Sequence, residues 1–433
     1  MIKAYKFRTY LDKEQIQNLE STLNACRELY NAMLQQRIYA YRMGKKVTRY
    51  SQVNEIPEVK KAFPEFNNIH SQVIQEVPVR LDKAYDNFYG RVDKKNNGKN
   101  IKAGFPRFKS RKRYNSITYP QSGFKILENG HIWASKIGEI RMFMHRPVDG
   151  RIRTLTFKRN SAGEWYAIII AGDPDKEQTI EDHFSILNEN MNPTGYDVGL
   201  KSLITDSNGE HTEAPQYFRK SEERLVRANR NLSRKKKYSK NWKKANHRLS
   251  RVYRKTVRQR DDYSNKLSRN IASRNKLIVF EALNIQGMVR NHHLAKSIAD
   301  ASWYDIIRKT TYKAESAGNI VLLVDPGNTS KLCSKCGNIK KDLKLSDRVY
   351  NCDVCGLTID RDENAAINIK NRGLLLFLYV YVYLHKHFKK VGRGTPEFTP
   401  VEIGALPARA TPRHRSRKPT ALVMGGCHYG DVY

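Results

Sequence analysis

A multidomain α/β architecture is predicted by three features of this 433-residue sequence. Hydrophobic residues recur at helical spacing from about residue 13 to 93, then at strand-like spacing from about 101 to 172. After a polar, acidic stretch at 173–194, strand and helix signals alternate to about residue 372. That alternation is the pattern of helices packed on a mixed sheet. A group of four cysteines interrupts it near its end. A chain of this length suits about two to four domains.

In order, Lys3, Tyr5 and Phe7 lie in a run alternating basic with apolar residues, which predicts a short strand. Ile16, Leu19, Leu23, Cys26, Leu29, Tyr30 and Leu34 then fall on one helical face. Pro64 and Pro78 are expected to punctuate the helices, and Asn96-Asn97-Gly98-Lys99-Asn100 to end them. Short β-branched runs at 117–119, 140–144, 152–157 and 165–170 are separated by glycines, which predicts a compact β unit closed as a barrel. Tyr196-Asp197-Val198 opens the third unit as a strand. A basic helical region follows at 217–275, expected as two antiparallel helices breaking near Tyr238 to Trp242. Between Arg219 and Arg260 it holds 18 Lys+Arg against only Glu222 and Glu223. Buried-type strands are predicted at 277–280 and 320–324, with helices at 300–317 and 362–372.

The charge balance narrows function. With 79 Lys+Arg against 43 Asp+Glu, the net charge is +36, far more than solubility requires. It points to a polyanionic partner, nucleic acid first, with a ribosome-like structural role or a membrane surface as the blander readings. The opening residues carry no apolar run of the secretory kind. The most apolar stretch, 374–384, is shorter than the roughly 20 residues a bilayer needs. Six cysteines in so long a chain do not make a disulfide framework. A soluble intracellular protein is expected.

Cys333-x-x-Cys336 and Cys352-x-x-Cys355 have the spacing of a four-thiolate zinc ribbon. One structural zinc is expected, with 340–350 as the ribbon hairpin; an iron–sulfur cluster or reduced thiols are the other readings. A closed four-ligand site leaves no open position for catalysis. Cys26 lies on an apolar helical face and is expected in the core.

Three acids sit where secondary structure can aim them together. Asp197 lies in a strand-like run, Glu281 follows the strand at 277–280, and Asp362 begins a helix for which Asp360 is the expected N-cap. Singly, each has a plain structural explanation: a turn, a solvated strand end, or a charge suited to the helix dipole. Together, in this order and on these elements, they fit a ribonuclease-H-like nuclease core. In such a core, carboxylates hold divalent cations for phosphoryl transfer.

At these residues the chain resembles TnpB, the family of transposon-encoded RNA-guided DNA endonucleases ancestral to type V CRISPR effectors. The resemblance rests on Gly195-Tyr196-Asp197-Val198-Gly199, Phe280-Glu281-Ala282-Leu283-Asn284, and Asp360-Arg361-Asp362-Glu363-Asn364-Ala365-Ala366 after the cysteines. Pro106-Arg107-Phe108-Lys109, Thr329-Ser330 before Cys333, and Val391-Gly392-Arg393-Gly394-Thr395-Pro396 add to it. Ala282 stands where an Asp is usual, and 374–388 is an unusually apolar insert.

The resemblance implies a wedge strand at 1–11, a helical recognition lobe at 12–97 and a β-barrel wedge domain at 98–180. A RuvC-like nuclease core at 186–326 follows, with basic helices 217–275, a zinc ribbon at 327–359 and the end of the core at 360–391. The Pro- and Arg-rich tail, 392–433, is expected to be disordered. Asp197, Glu281 and Asp362 are then the catalytic residues, holding two Mg²⁺ (or Mn²⁺) ions. The implied partners are a guide RNA and double-stranded target DNA, bound by a monomer in a prokaryotic cytoplasm, at the nucleoid, with no membrane. Expected nucleic-acid contacts are Arg107 and Lys109, then Arg234, Lys235, Lys236 and Lys237, then Lys243, Lys244, Arg248, Arg251 and Arg254. Base pairing with the guide would supply sequence specificity. A guide-free transposase or accessory nuclease, and a non-cleaving RNA-guided binder, are the alternatives.

Overall fold

The computed structural model describes residues 2–172, 191–344 and 346–388, with side chains to residue 380. Most of the expected linker (173–190) and all of the expected disordered tail lie outside the described residues. The chain separates into two compact units, Met1–Glu177 and Gln178–Tyr433.

In the first unit, strand β1 (Lys3–Tyr10) leads into helix α1 (Lys13–Arg42). Asp12 caps that helix, accepting from the Gln15 amide at 2.7 Å while the Gln15 side chain accepts from the Asp12 amide at 3.2 Å. Short helices α2 (Arg49–Asn54) and α3 (Ile56–Ala62) lead to α4 (Ser71–Asn96). Pro64 begins a single turn at Pro64–Asn68, but Pro78 sits inside α4 rather than ending it. The buried face of Val73, Ile74, Val77, Leu81 and Tyr85 outweighs the roughly 3 kcal/mol that an interior proline costs.

Residues 98–115 carry no strand, so the β region starts later than its apolar residues suggested. Six strands follow: β2 (Ser116–Tyr119), β3 (Phe124–Ile126), β4 (Ile132–Ala134), β5 (Gly138–Phe143), β6 (Ile152–Arg159) and β7 (Trp165–Ala171). They form one sheet with β1, in the order β2-β6-β7-β1-β5-β4-β3. The first strand thus lies in its middle, antiparallel to both β5 and β7. The sheet curls until Tyr119 of β2 meets Phe124 of β3 edge-on, and its hydroxyl donates to the Ser135 carbonyl. Alternate residues of β7 are buried, and they share one core with the inward faces of α1 and α4. Cys26 lies in that core, where burial pushes its thiol up to about 12.

The second unit is built on a five-stranded mixed sheet of β8 (Thr194–Val198), β9 (Ser202–Asp206), β10 (His211–Glu213), β11 (Leu277–Glu281) and β12 (Ile320–Val324). The order is β10-β9-β8-β11-β12, with β8, β11 and β12 parallel, β9 antiparallel to β8, and β10 antiparallel to β9 and so running with β8. Helices α5 (Tyr217–Ser233) and α6 (Lys240–Arg274) form the basic hairpin. After β11 come α7 (Ile285–Met288), α8 (His292–Ala301) and α9 (Trp303–Ser316); α9 is the helix expected at 300–317, and Ser302, with φ +57°, separates it from α8.

The last helix, α10 (Arg361–Phe388), runs well past the expected end at Arg372. Gly373 does not stop it. A Cβ there would fall 2.3 Å from the Val279 side chain, so the glycine lets the helix pass close over β11. Among the described residues no helix is long and apolar enough to cross a membrane.

Candidate active site and metal centre

The central strand β11 is buried along its whole length. Side chains of a strand alternate between faces. Ile278 and Phe280 pack with Ile271, Trp303 and Ile306 of the helices on one face, while Leu277 and Val279 pack with Ile369 and Phe377 of α10 on the other. Glu281, two residues beyond Val279, therefore points to the α10 face. Strand β8 repeats the logic. Tyr196 stacks on Phe280 with ring centres 5.3 Å apart, so Gly195 and Asp197 face α10. The parallel register pairs Val279 with Gly195 and Phe280 with Tyr196, which sets Asp197 beside Glu281 one step on. Asp362 enters from the first turn of α10 itself. Asp360 holds that turn, its Oδ1 accepting from the amides of Asp362 at 2.9 Å and Glu363 at 3.2 Å.

The electrostatics register this convergence. Asp197 is pushed up to about 7, first by burial, then by the charges of Glu281 and Asp362, with the Arg361 guanidinium opposing. Arg361 also pairs with Asp362 at 3.3 Å. Burial raises Glu281 as well, against a hydrogen bond from Thr329 and the charge of Arg372. The Thr329 hydroxyl donates to Glu281 Oε1 at 2.5 Å. Asp325, just beyond β12, adds a fourth negative charge near Glu281. Sequence reasoning named Thr329 only in the run before Cys333, with no role at the carboxylates, and passed over Asp325. Their signal was position, since both follow the strand that pairs with β11, but no ligand-type motif marks them.

Oxygen donors that mutually repel suit a hard divalent cation. The carboxylates are not drawn as tightly together as the sulfurs. Among the described residues only the four cysteines form a group of three or more His, Cys, Asp or Glu ligand atoms within 4.8 Å of one another.

That second cluster is built by two knuckles. The Cys333 amide donates to the Asn338 carbonyl and the Cys352 amide to the Leu357 carbonyl, each at 2.8 Å. Gly337 and Gly356 take φ +74° and +71° to close the turns. Cys333 and Cys355 sulfurs lie 3.6 Å apart, and those of Cys336 and Cys352 3.5 Å. Tetrahedral zinc at about 2.3 Å from each thiolate has sulfur–sulfur edges near 3.8 Å, so the four cysteines fit zinc. Amides of Cys355 and Val354 donating to Cys352 pull its thiol down to about 6, while, against a hydrogen bond from the Asn338 amide, burial and the neighbouring sulfurs hold the Cys336 thiol up at about 12. The hairpin is not at 340–350 as expected. It is β13 (Val349–Asn351) with β14 (Thr358–Asp360), around the second knuckle. Tyr350 is fully buried beneath it, donating to the carbonyls of Lys331 and Asn338.

Two asparagines join the cluster to the carboxylates. Asn364 Nδ2 donates to the Leu332 carbonyl at 2.7 Å, and its Oδ1 accepts from the Ser334 amide at 3.0 Å. Asn368 Nδ2 donates to the carbonyls of Thr329 at 2.9 Å and Leu332 at 2.7 Å. Both side chains are buried.

Of the expected nucleic-acid contacts, Arg234, Lys235, Lys236, Lys237, Lys243, Lys244, Arg248 and Arg251 are exposed on the α5–α6 hairpin, and Arg254 is half-buried. Arg107 is exposed in the first unit. Lys109 is tied there through its backbone to the Asn31 side chain, with its ammonium 5.7 Å from the Tyr30 ring.

Comparison with known proteins gives the class first. Residues 186–292 match the OrfB_IS605 family, described as "Probable transposase", and 303–369 match a "Cas12f1-like, TNB domain". Residues 1–46 match a "Helix-turn-helix domain", although here they fold as a strand and one 30-residue helix. The chain is 32% identical over 86% of its length, and 89% of the relative's, to the "Putative RNA-guided DNA endonuclease" of Streptomyces pristinaespiralis. It is 30% identical to the "Putative RNA-guided DNA endonuclease InsQ" of Escherichia coli K12, over 86% of this chain and 92% of that one. A solved "Cas12f1-sgRNA-target DNA complex" overlaps 86% of this chain and 99% of its own at 16% identity and a TM-score of 0.32. The chain belongs to the TnpB family.

Proposed function

We propose that this chain is an RNA-guided DNA endonuclease that cuts double-stranded DNA beside a short flanking motif. The observation that carries the catalytic part is the delivery of Asp197, Glu281 and Asp362 to one face of the mixed sheet, where burial first, and then the charges of the other two, raise Asp197 to about 7. The five-stranded sheet with α10 is read as a RuvC-like, ribonuclease-H-type core, and the curled seven-stranded sheet as the wedge domain. The helices at 12–97 would be the recognition lobe. The names of the two relatives near 30% identity support the guided activity.

Asp197, Glu281 and Asp362 would hold two Mg²⁺ ions, which when bound supply an activated water and charge neutralisation for in-line attack on a phosphodiester. The chain's own residues prepare that site. Thr329 fixes which way Glu281 presents its carboxylate. Asp360 holds the first turn of α10 so that Asp362 stands at its start. The cysteine cluster, loaded with zinc, folds the ribbon, and Asn364 and Asn368 key it to α10. The exposed cations of α5 and α6 contact phosphates without reading sequence.

The test is to purify the protein from cells carrying its native locus and sequence the RNA that accompanies it. A single discrete RNA running into flanking sequence is expected, and it supplies the target for a cleavage assay. Asp197→Ala, Glu281→Ala and Asp362→Ala should each abolish cutting while RNA binding persists. Normal cutting by Glu281→Ala would overturn the catalytic assignment. The absence of a discrete RNA would favour guide-free action, the reading suggested by the transposase match over 186–292.

A further inference from the structure

The connection between α5 and α6 carries a feature that the catalytic reading does not use. The Ser239 amide donates to the Lys236 carbonyl at 3.1 Å, closing a tight turn over 236–239. Tyr238 occupies its third position with φ +70°. That left-handed conformation is one that turns of this kind fill with glycine or asparagine, and a bulky side chain is disfavoured there. The ring gains little burial in exchange, since 64% of Tyr238 is exposed. It is tilted against the Trp242 ring, with centres 5.6 Å apart, and the Lys237 ammonium lies 5.4 Å from its centre. Ser239 caps α6 by accepting from the Trp242 amide at 3.1 Å, so the second ring is anchored to the helix start.

The surroundings are uniformly positive. Arg234, Lys235, Lys236, Lys237, Lys243 and Lys244 are all exposed, and the sequence has no acid between Glu223 and Asp261. An exposed aromatic held at a strained backbone position, within a cationic tip, contributes little to folding. Strain of this sort collects at functional positions. Paired aromatic faces within a basic groove are the means by which proteins hold unpaired bases without regard to sequence.

We infer that Tyr238, backed by Trp242, is a stacking platform for an unpaired nucleobase at the tip of the α5–α6 hairpin. The ligand class is single-stranded nucleic acid, whose phosphates the flanking cations would neutralise. The inference rests on the proposed function only in treating this hairpin as a nucleic-acid surface, and it needs no cleavage.

The experiment uses the full-length chain carrying Asp362→Ala, stripped of RNA, with fluorescent oligo(U), oligo(dT) and a blunt duplex as probes. Affinity is read by anisotropy across a salt series, alongside the melting temperature. Tyr238→Gly suits the backbone better than tyrosine, so the protein should melt no lower than its parent. Its affinity for a single-stranded probe should fall about 5- to 150-fold, the range carried by one base–aromatic stack. The salt slope should not change, because no phosphate contact is lost. Duplex binding should be unaffected, and Tyr238→Phe should keep the parental affinity. A loss on oligo(U) alone assigns the platform to RNA, and a loss on oligo(dT) alone to displaced DNA. The inference is overturned if Tyr238→Gly binds single strands like its parent, if its salt slope flattens, or if Tyr238→Phe loses as much. If the parent binds no probe at all, the reading of the hairpin falls as well.

Discussion

Replacing Gly195 by alanine tests the seating of α10 on the sheet, on which the geometry of the carboxylates depends. An added Cβ would lie 2.2 Å from the Ala366 carbonyl oxygen and 2.5 Å from the Lys370 amide nitrogen. Both are backbone atoms inside a helix, so no change of rotamer relieves the contact. Real Cβ contacts essentially never fall below 3.0 Å, so helix and strand must separate by at least 3.0 − 2.2 = 0.8 Å. Overpacking of a core costs about 1–3 kcal/mol, and a backbone obstacle belongs at the upper end. In a unit of this size the melting temperature should fall by roughly 5–10 °C. The same displacement moves Asp362 away from Asp197, and a misplacement of about 1 Å can cost on the order of 100-fold in rate. Thermal unfolding and single-turnover cleavage of a guided target give the two readouts. Gly90→Ala is the control, because that glycine is exposed inside α4 with nothing within 4 Å of the added carbon. It should stabilise by up to about 1 kcal/mol. If Gly195→Ala melts with its parent and cuts at the parental rate, α10 does not ride on β8 as described.

Three further outcomes follow from the same geometry. Thr329→Val removes a hydrogen bond to a buried carboxylate, worth about 1.5–3 kcal/mol, so cleavage and Mn²⁺ affinity measured by electron paramagnetic resonance should both drop, with Thr329→Ser restoring them. Parental Mn²⁺ affinity in the valine variant would remove Thr329 from the site. Asp197 titrates in the metal-free fold near 7, above its ordinary value of 3.8, so the native state holds a proton that the unfolded chain has released. Stability without metal should therefore fall as pH rises from about 4 to 7, by at most about 1.4 kcal/mol per pH unit, and level off above. Asp197→Asn should flatten that slope, and an unchanged melting profile would count against the shift. Stripping the cysteine cluster, by chelation or Cys352→Ser, should release zinc and expose Tyr350 to solvent, seen by metallochromic titration and tyrosine quenching. Full burial of Tyr350 in the stripped protein would show that the ribbon folds without metal.

The parts legible in the sequence were those written in short, chemically specific spacings. Two CxxC pairs fix a sulfur cluster whatever surrounds them, and a buried run such as 277–280 ending in Glu281 leaves that carboxylate at a strand terminus. Capping at Asp360 is likewise local. Features that depend on distant packing were not legible. Gly373 has the composition of a helix end, yet it admits the Val279 side chain instead. Pro78 looks like a breaker, but the buried face on either side carries the helix through it. The apolar character of 374–388 belongs in part to α10, where Leu374, Leu376 and Phe377 pack over β11 and β12. Thr329 becomes a partner of Glu281 only once β12 is laid beside β11.

The central position of β1 has a consequence for how the chain is made. Its partners, β5 and β7, end at Phe143 and Ala171, so the first strand is synthesised long before anything exists to pair with it. At about 5–20 residues per second, the ribosome leaves that strand waiting on the order of ten seconds or more. Meanwhile α1 to α4 can form from local contacts alone. Loss of residues 3–10, through internal initiation or an N-terminal cut, would not trim the sheet at a margin. It would remove the strand joining β2-β6-β7 to β5-β4-β3 and leave two three-stranded fragments, each with a new open edge. An affinity tag that hinders the first strand should therefore be more harmful here than its terminal location suggests.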